Sequence, residues 1–341
     1  MRPGLQRLIR NKKRQRQELA KVEPARLPVA ATELVQKALD YAEEGIGSAS
    51  TRRVYATQWR AFEQWCASHA CEPLPAQPAA LVLYLTERAG AGAGRSTIDQ
   101  IVAAVNQKHE LADLPKPSQA REVKLVVRGI RKRVARAKRR ASPLAPDLLR
   151  QMVRAMPEGS LASKRDAALV LTGFGGALRR QELVDVDVEH VEFHEDGMKV
   201  YLPRSKTDQE GEGALVSIPF GSDKHTCPVR AMRAWLAASG IASGCVFQGV
   251  TRRGKLSGKR LDGRDVARIV QRAARRAGIT LDRISGHSLR AGLGTTAAKE
   301  DKRIDVIQKH MRHKRMEQTV EYIRDAKAFD PDENAASGIG L

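Results

Sequence analysis

Gly286-His287-Ser288-Leu289-Arg290 is the stretch from which the chain is best read. It opens a helix, so His287 and Arg290, three apart, share one face. Downstream, His313 and Tyr322 lie nine residues apart with a helix start between them. Upstream, Gly176-Ala177-Leu178-Arg179-Arg180-Gln181-Glu182-Leu183 puts Arg179 just after a helix and Glu182 three residues further on. Between these, Arg204-Ser205-Lys206-Thr207-Asp208 falls in a turn joining two strands. Cations, imidazoles and a phenol thus recur at element ends through one half of the chain.

The surrounding pattern predicts a mainly α protein with a small antiparallel sheet. In residues 147–327, helices are expected near 147–156, 161–177, 228–239, 262–277, 287–299, 303–311 and 317–326. Strand-like segments run over Val188–Phe193, Met198–Leu202 and Leu215–Pro219, so this half reads as mixed α+β. Residues 31–140 read as an all-α bundle. Ser50-Thr51 is the expected cap of a helix carrying Tyr55, Trp59, Phe62 and Trp65 along one core-facing side. A short apolar helix with Leu81, Leu83 and Leu85 follows Pro75 and Pro78. Ser96 is expected to cap the next, with Ile98, Ile101, Val102 and Val105 on one side, and a basic helix runs to about Arg140. The prolines of Ser142-Pro143-Leu144-Ala145-Pro146 make 141–146 a linker, while 1–30 reads as a basic tail and 328–341 as a C-terminal tail.

Composition narrows the function. Sixty Lys+Arg against 39 Asp+Glu give a formal charge of +21 in 341 residues, an excess that needs a polyanion or an anionic surface. The excess is clustered. Residues 1–22 hold eight basic residues and one acid, 121–140 ten and one, and Arg252–Arg276 ten and two. Any one run reads as a solvated face or tail; three together read as a long phosphate-contacting surface. The runs lack the Trp/Phe/Leu face of an interfacial helix, and no stretch of about 18 apolar residues occurs. With no signal-peptide core and four cysteines without a CxxC pair, the expected location is the cytoplasm.

The ordered set Arg179, Lys206, His287-x-x-Arg290, His313 and Tyr322 resembles the tyrosine recombinase (phage integrase) family, over roughly residues 31–341. The resemblance implies a helical core-binding domain (31–140) ahead of a catalytic domain (147–327). It implies a site-specific DNA recombinase that joins DNA to Tyr322 through a 3′-phosphotyrosine, with neither ATP, cofactor nor metal. Its partners would be double-stranded DNA with paired sites, on which four protomers act through a Holliday junction while bound to the nucleoid. The 328–341 tail would pack on a neighbouring protomer; a frayed end is the equal alternative. In the family a glycine usually precedes the histidine at the His313 position. Here Arg312 does, and its side chain must point away from the scissile phosphate or contact DNA.

The residue types suit that chemistry. A phosphodiester attacked by an oxygen gains negative charge on its equatorial oxygens, to which Arg179 and Arg290 offer paired donors. His287 and His313 add hydrogen bonds or move protons. Lys206 is the candidate general acid for the departing 5′ oxygen, Tyr322 the candidate nucleophile, and Glu182 orients an arginine. A phenol of pKa about 10 costs about 4 kcal/mol to deprotonate at pH 7, which the cationic surround must offset. Each residue also has a plainer reading: phosphate contact alone for the arginines, a solvated turn for Lys206, a half-buried helix tyrosine for Tyr322. A topoisomerase-like swivelase and a DNA-binding protein without catalysis are the rival functions. His190-Val191-Glu192-Phe193-His194 misplaces the glutamate of a zinc-protease motif, and His310-x-x-His313 lacks a third ligand.

Overall fold

The computed structural model describes residues 47–134, 141–203 and 213–334, with Gly45 and Ala336. The expected 1–30 tail, Lys206 and the last residues of the C-terminal tail lie outside the described residues, as do 31–44 and 135–140 of the expected helical domain. The described residues form two compact units, one before and one after 135–140.

The first unit comprises α1 (Ala49–Ser68), α2 (Pro78–Gly90), α3 (Arg95–Leu111) and α4 (Arg121–Arg133). Trp59, Phe62 and Trp65 recur on one side of α1 and are buried with Leu81, Tyr84, Leu85, Ile98, Ile101, Val105, Val123 and Val127. The aromatic rows are therefore core, not stacking platforms for bases. The cap of α1 is Ser48, whose Oγ accepts from the Thr51 N–H, rather than Ser50-Thr51. Gly94, not Ser96, precedes α3. Leu83 is 62% exposed, because the seam of α2 runs through Leu81, Tyr84 and Leu85 at helical spacing.

The second unit contains α5 (Pro146–Arg154), α6 (Leu161–Gly175), α7 (Arg180–Val184), β1 (Val191–Phe193), β2 (Gly197–Leu202), β3 (Ala214–Pro219) and α8 (Pro228–Ser239). There follow β4 (Gln248–Val250), β5 (Leu256–Arg260), α9 (Gly263–Arg276), α10 (Gly286–Lys299), α11 (Ile304–Met311) and α12 (Glu317–Ala326). Strands β1-β2-β3 form an antiparallel sheet, with Val200 facing both Val191 and Val216. Residues 188–190, expected as strand, make a 3-10 turn before β1. A second antiparallel pair, β4–β5, was not legible in the sequence, since β5 is the polar run Leu-Ser-Gly-Lys-Arg. The core is built on Leu169, Met232, Trp235, Phe247 and Val270, and the Trp235 indole donates to the Val246 carbonyl at 2.9 Å.

Residues 141–146 do not behave as a free linker. Leu144 is fully buried and its N–H bonds the Ser288 carbonyl at 3.1 Å, while Ser142 N–H bonds the Arg283 carbonyl. Gly292 permits this crossing, because a Cβ there would fall against the Leu144 backbone. The prolines stop a helix, yet the apolar Leu144 between them is long enough to anchor the segment on α10.

Candidate active site

The site is assembled from element ends. Helix α6 stops at Gly175-Gly176, and Ala177 then takes a left-handed conformation (φ 47°) that turns the chain into Arg179. Arg179 caps α7. Its N–H donates to Glu182 Oε2 at 2.9 Å and its Nη1 to Oε1 at 2.5 Å. Glu182, 3 residues further on, thus holds Arg179 at both its backbone and its guanidinium.

Arg290 comes from the buried side of α10 and is 2% exposed. Its Nη1 donates to the Ala177 carbonyl at 2.6 Å and its Nη2 to the Met311 carbonyl. Two of its donors are thus seated by protein carbonyls, so the full fork expected from sequence is not left to a ligand. Burial, then the charges of Arg179 and Arg312, lower its pKa to about 10, which leaves it a cation at pH 7. His287 lies in the first turn of α10, exposed, with its N–H held by Ser285.

His313 follows α11, and Tyr322 sits on α12. The two rings stack with centroids 5.7 Å apart and planes 14° from parallel, and His313 Nδ1 lies 2.9 Å from Thr319 Oγ1. Burial and the nearby Arg290, Arg179, Arg312 and His287 lower its pKa to about 4. At neutral pH this imidazole is uncharged and has one ring nitrogen able to accept. Close packing brings Tyr322 in: at Gly294 of α10, a Cβ would meet Met311 Sδ at 2.7 Å and Tyr322 Cδ1 at 3.2 Å.

Arg312 turns inward, onto the protein's own carbonyls and Glu182. It occupies the left-handed C-cap of α11 (φ 53°, ψ 48°), the conformation that makes glycine common there. Its side chain is 11% exposed. Nη1 donates to the carbonyls of His310 (2.8 Å) and Gly176 (3.1 Å), and Nη2 to Ala177 O and Glu182 Oε2, both at 3.0 Å. Sequence reasoning had no role for it; the signal was the arginine in a glycine slot. Burial pushes the Glu182 carboxyl up, but Arg312 and Arg179 outweigh this and hold it below its usual range.

Arg179 and Arg290 thus meet at the Gly176–Ala177 turn, His313 lies near both and near His287 and stacks on Tyr322, and Lys206 lies outside the described residues. His310 is turned to the Gly175 carbonyl at 2.8 Å, and His190 accepts from the Asp187 N–H. Among the described residues no three His, Cys, Asp or Glu side chains cluster as a metal site.

The phage integrase family profile matches residues 143–328. An integrase/recombinase XerD homolog of Selenomonas ruminantium is 32% identical over 283 residues, 82% of this chain and 83% of that protein. The Cre recombinase of Escherichia phage P1 is 27% identical over 294 residues, 80% and 84% of the two chains. Among solved structures, a lambda integrase tetramer bound to a Holliday junction aligns with a TM-score of 0.58 at 15% identity, covering 93% of this chain and 86% of that one. The Tn1549 transposon integrase in complex with transposon right-end DNA aligns at 0.57 and 14% identity, covering 85% and 95%. Fold and relatives define the class, a tyrosine-type DNA strand transferase. The chain belongs to the phage integrase family.

Proposed function

We propose that this enzyme exchanges strands between two paired DNA sites, with Tyr322 as the nucleophile. The observation that carries the reading is the stacked His313–Tyr322 pair beside three guanidiniums gathered on one turn. Tyr322 Oη attacks the scissile phosphorus and the P–O5′ bond breaks, leaving a 3′-phosphotyrosine and a free 5′ hydroxyl. Arg179 and Arg290 meet the charge on the equatorial oxygens. His313, neutral before DNA arrives, accepts the phenolic proton or a hydrogen bond from it. His287, exposed at the start of α10, faces the substrate side. Lys206 protonates the departing oxygen. Rejoining reverses these steps with a different 5′ hydroxyl, so one phosphodiester replaces another without net energy input.

The first unit is the core-binding domain and the second the catalytic domain. Basic surface on both supports duplex binding, although several cations of the runs are engaged within the protein. Arg272 lies 2.6 Å from the buried Asp166, Arg260 2.5 Å from Asp187 and Arg131 2.7 Å from Asp99. The lambda integrase tetramer on a Holliday junction supports four protomers acting together. Phe329, 93% exposed, supports a C-terminal segment that buries itself against a neighbour. No described helix is long and apolar enough to cross a membrane, which suits a cytoplasmic protein acting on the nucleoid.

Supercoiled plasmids with and without paired sites test the reading. Exchange of flanking markers confined to paired sites is the expected result. Relaxation of any plasmid without exchange would make the protein a swivelase.

A further inference from the structure

Arg312 is an outlier on two counts. It holds a left-handed backbone that an L side chain rarely adopts, and its Nε–H is buried without a partner among the described residues. A solvent-facing arginine would gain nothing from either. Both are offset by four hydrogen bonds that reach three elements: the α11 terminus (His310 O), the Gly176–Ala177 turn, and Glu182 on α7.

Those bonds converge on the groups that hold the other arginines. Ala177 O accepts from both Arg290 and Arg312. The Glu182 carboxylate serves both: Oε1 accepts from the Arg179 guanidinium, and Oε2 from the Arg179 N–H and Arg312 Nη2. The Arg312 carbonyl lies 3.4 Å from Arg179 Nη2, and the next residue is His313. One side chain thus cross-links the turn that presents Arg179 to the turn that presents His313.

We propose that Arg312 is a positioning residue for strand cleavage, setting where Arg179 and His313 sit by sharing Glu182 with Arg179 and by tying the Gly176–Ala177 turn to the α11 terminus that leads into His313. It rests on the reading of the site given above. Lysine cannot substitute, since one ammonium cannot span three carbonyls and a carboxylate in a planar fork. The same cation also bears on His313, together with Arg179 from the α7 cap and Arg290 and His287 from α10, while from α12 that ring meets Thr319 and Tyr322.

The test uses the full-length protein with Arg312→Gly and Arg312→Lys. Glycine relieves the left-handed backbone, so the fold is expected to stand by thermal melting. Single-turnover formation of the covalent adduct on a nicked duplex carrying the recombination site is expected to fall at least tenfold in both variants. Affinity for the same duplex should stay within about threefold. Guanidinium ion at millimolar concentration should restore part of the rate of Arg312→Gly and leave Arg312→Lys unchanged. The acid limb of the pH–rate profile should move to higher pH in Arg312→Gly, where His313 loses a neighbouring cation, and less in Arg312→Lys.

A folded Arg312→Gly with wild-type rate and an unmoved acid limb would overturn the proposal. So would parallel losses of melting temperature, affinity and rate without guanidinium rescue. If Arg312→Gly does not fold, Arg312→Lys carries the decision: a wild-type rate there excludes the shared-fork geometry. Absence of any adduct from the wild type would instead overturn the nucleophilic reading of Tyr322, and this proposal with it.

Discussion

At the scale of single residues, charge is handled by sharing. Two guanidiniums, Arg179 and Arg312, share one buried carboxylate, and Glu182 is 3% exposed at its side chain. Glu182→Gln leaves Arg179 and Arg312 desolvated with only a neutral acceptor, a loss of about 3 kcal/mol that a urea midpoint would register. His313 shows the converse, a group kept neutral by burial and cations. Its folded pKa of about 4 lies below the ordinary 6.5, so the unfolded chain binds a proton that the folded one excludes. Stability contributed by the neutral ring is full above about pH 6.5 and falls as pH drops toward 4, below which both states are protonated. Discounted for partial solvent exposure, the swing is about 1–2 kcal/mol. Melting curves between pH 4 and 7 should show it in the wild type and not in His313→Gln. Glu182 acts in a lower window: its carboxylate stabilises the fold above the usual carboxylate pKa, and that contribution is lost as pH falls through its depressed folded value.

At the scale of elements, α10 does most of the positioning because two of its glycines let other chain segments approach. Gly292→Ala would drive a methyl into the Leu144 backbone, and a loss of about 2–4 kcal/mol follows for a clash with main chain. Gly294→Ala pushes on Met311 and the Tyr322 ring. It should slow covalent cleavage more than tenfold while a gel-shift assay reads unchanged DNA affinity. Neither contact was legible in the sequence, which gave His287 and Arg290 their shared face but said nothing of what packs behind it. Legibility tracked local signals. Long amphipathic helices such as α9, with Val266, Ile269, Val270, Ala273 and Ala274 inward, carry their period in the sequence. β5 does not, since Ser257, Gly258, Lys259 and Arg260 are all exposed and its pairing with β4 is non-local. The 141–146 segment misled for a related reason: Pro143 and Pro146 announce a break in helix, while the burial of Leu144 depends on a glycine some 150 residues away. Arg312 was visible as a departure, but its partners at 176, 177 and 182 are distant in sequence.

At the scale of the whole molecule, a charge of +21 makes DNA affinity an electrostatic quantity. Log K for duplex should fall linearly and steeply with log salt. Deleting residues 1–30 should flatten the slope without abolishing site recognition; an unchanged slope would remove the tail from the interface. Deleting 328–341 should spare binding of one protomer and weaken synapsis, seen as loss of the slow-migrating complex. The strand-exchange reading rests on Tyr322 being the nucleophile. Tyr322→Phe removes only the phenolic oxygen and keeps the ring that stacks on His313. On a nicked suicide duplex, in buffer with chelator, the wild type is expected to accumulate a DNA adduct that survives boiling in detergent, and Tyr322→Phe to form none. An adduct of undiminished yield in Tyr322→Phe would contradict the account.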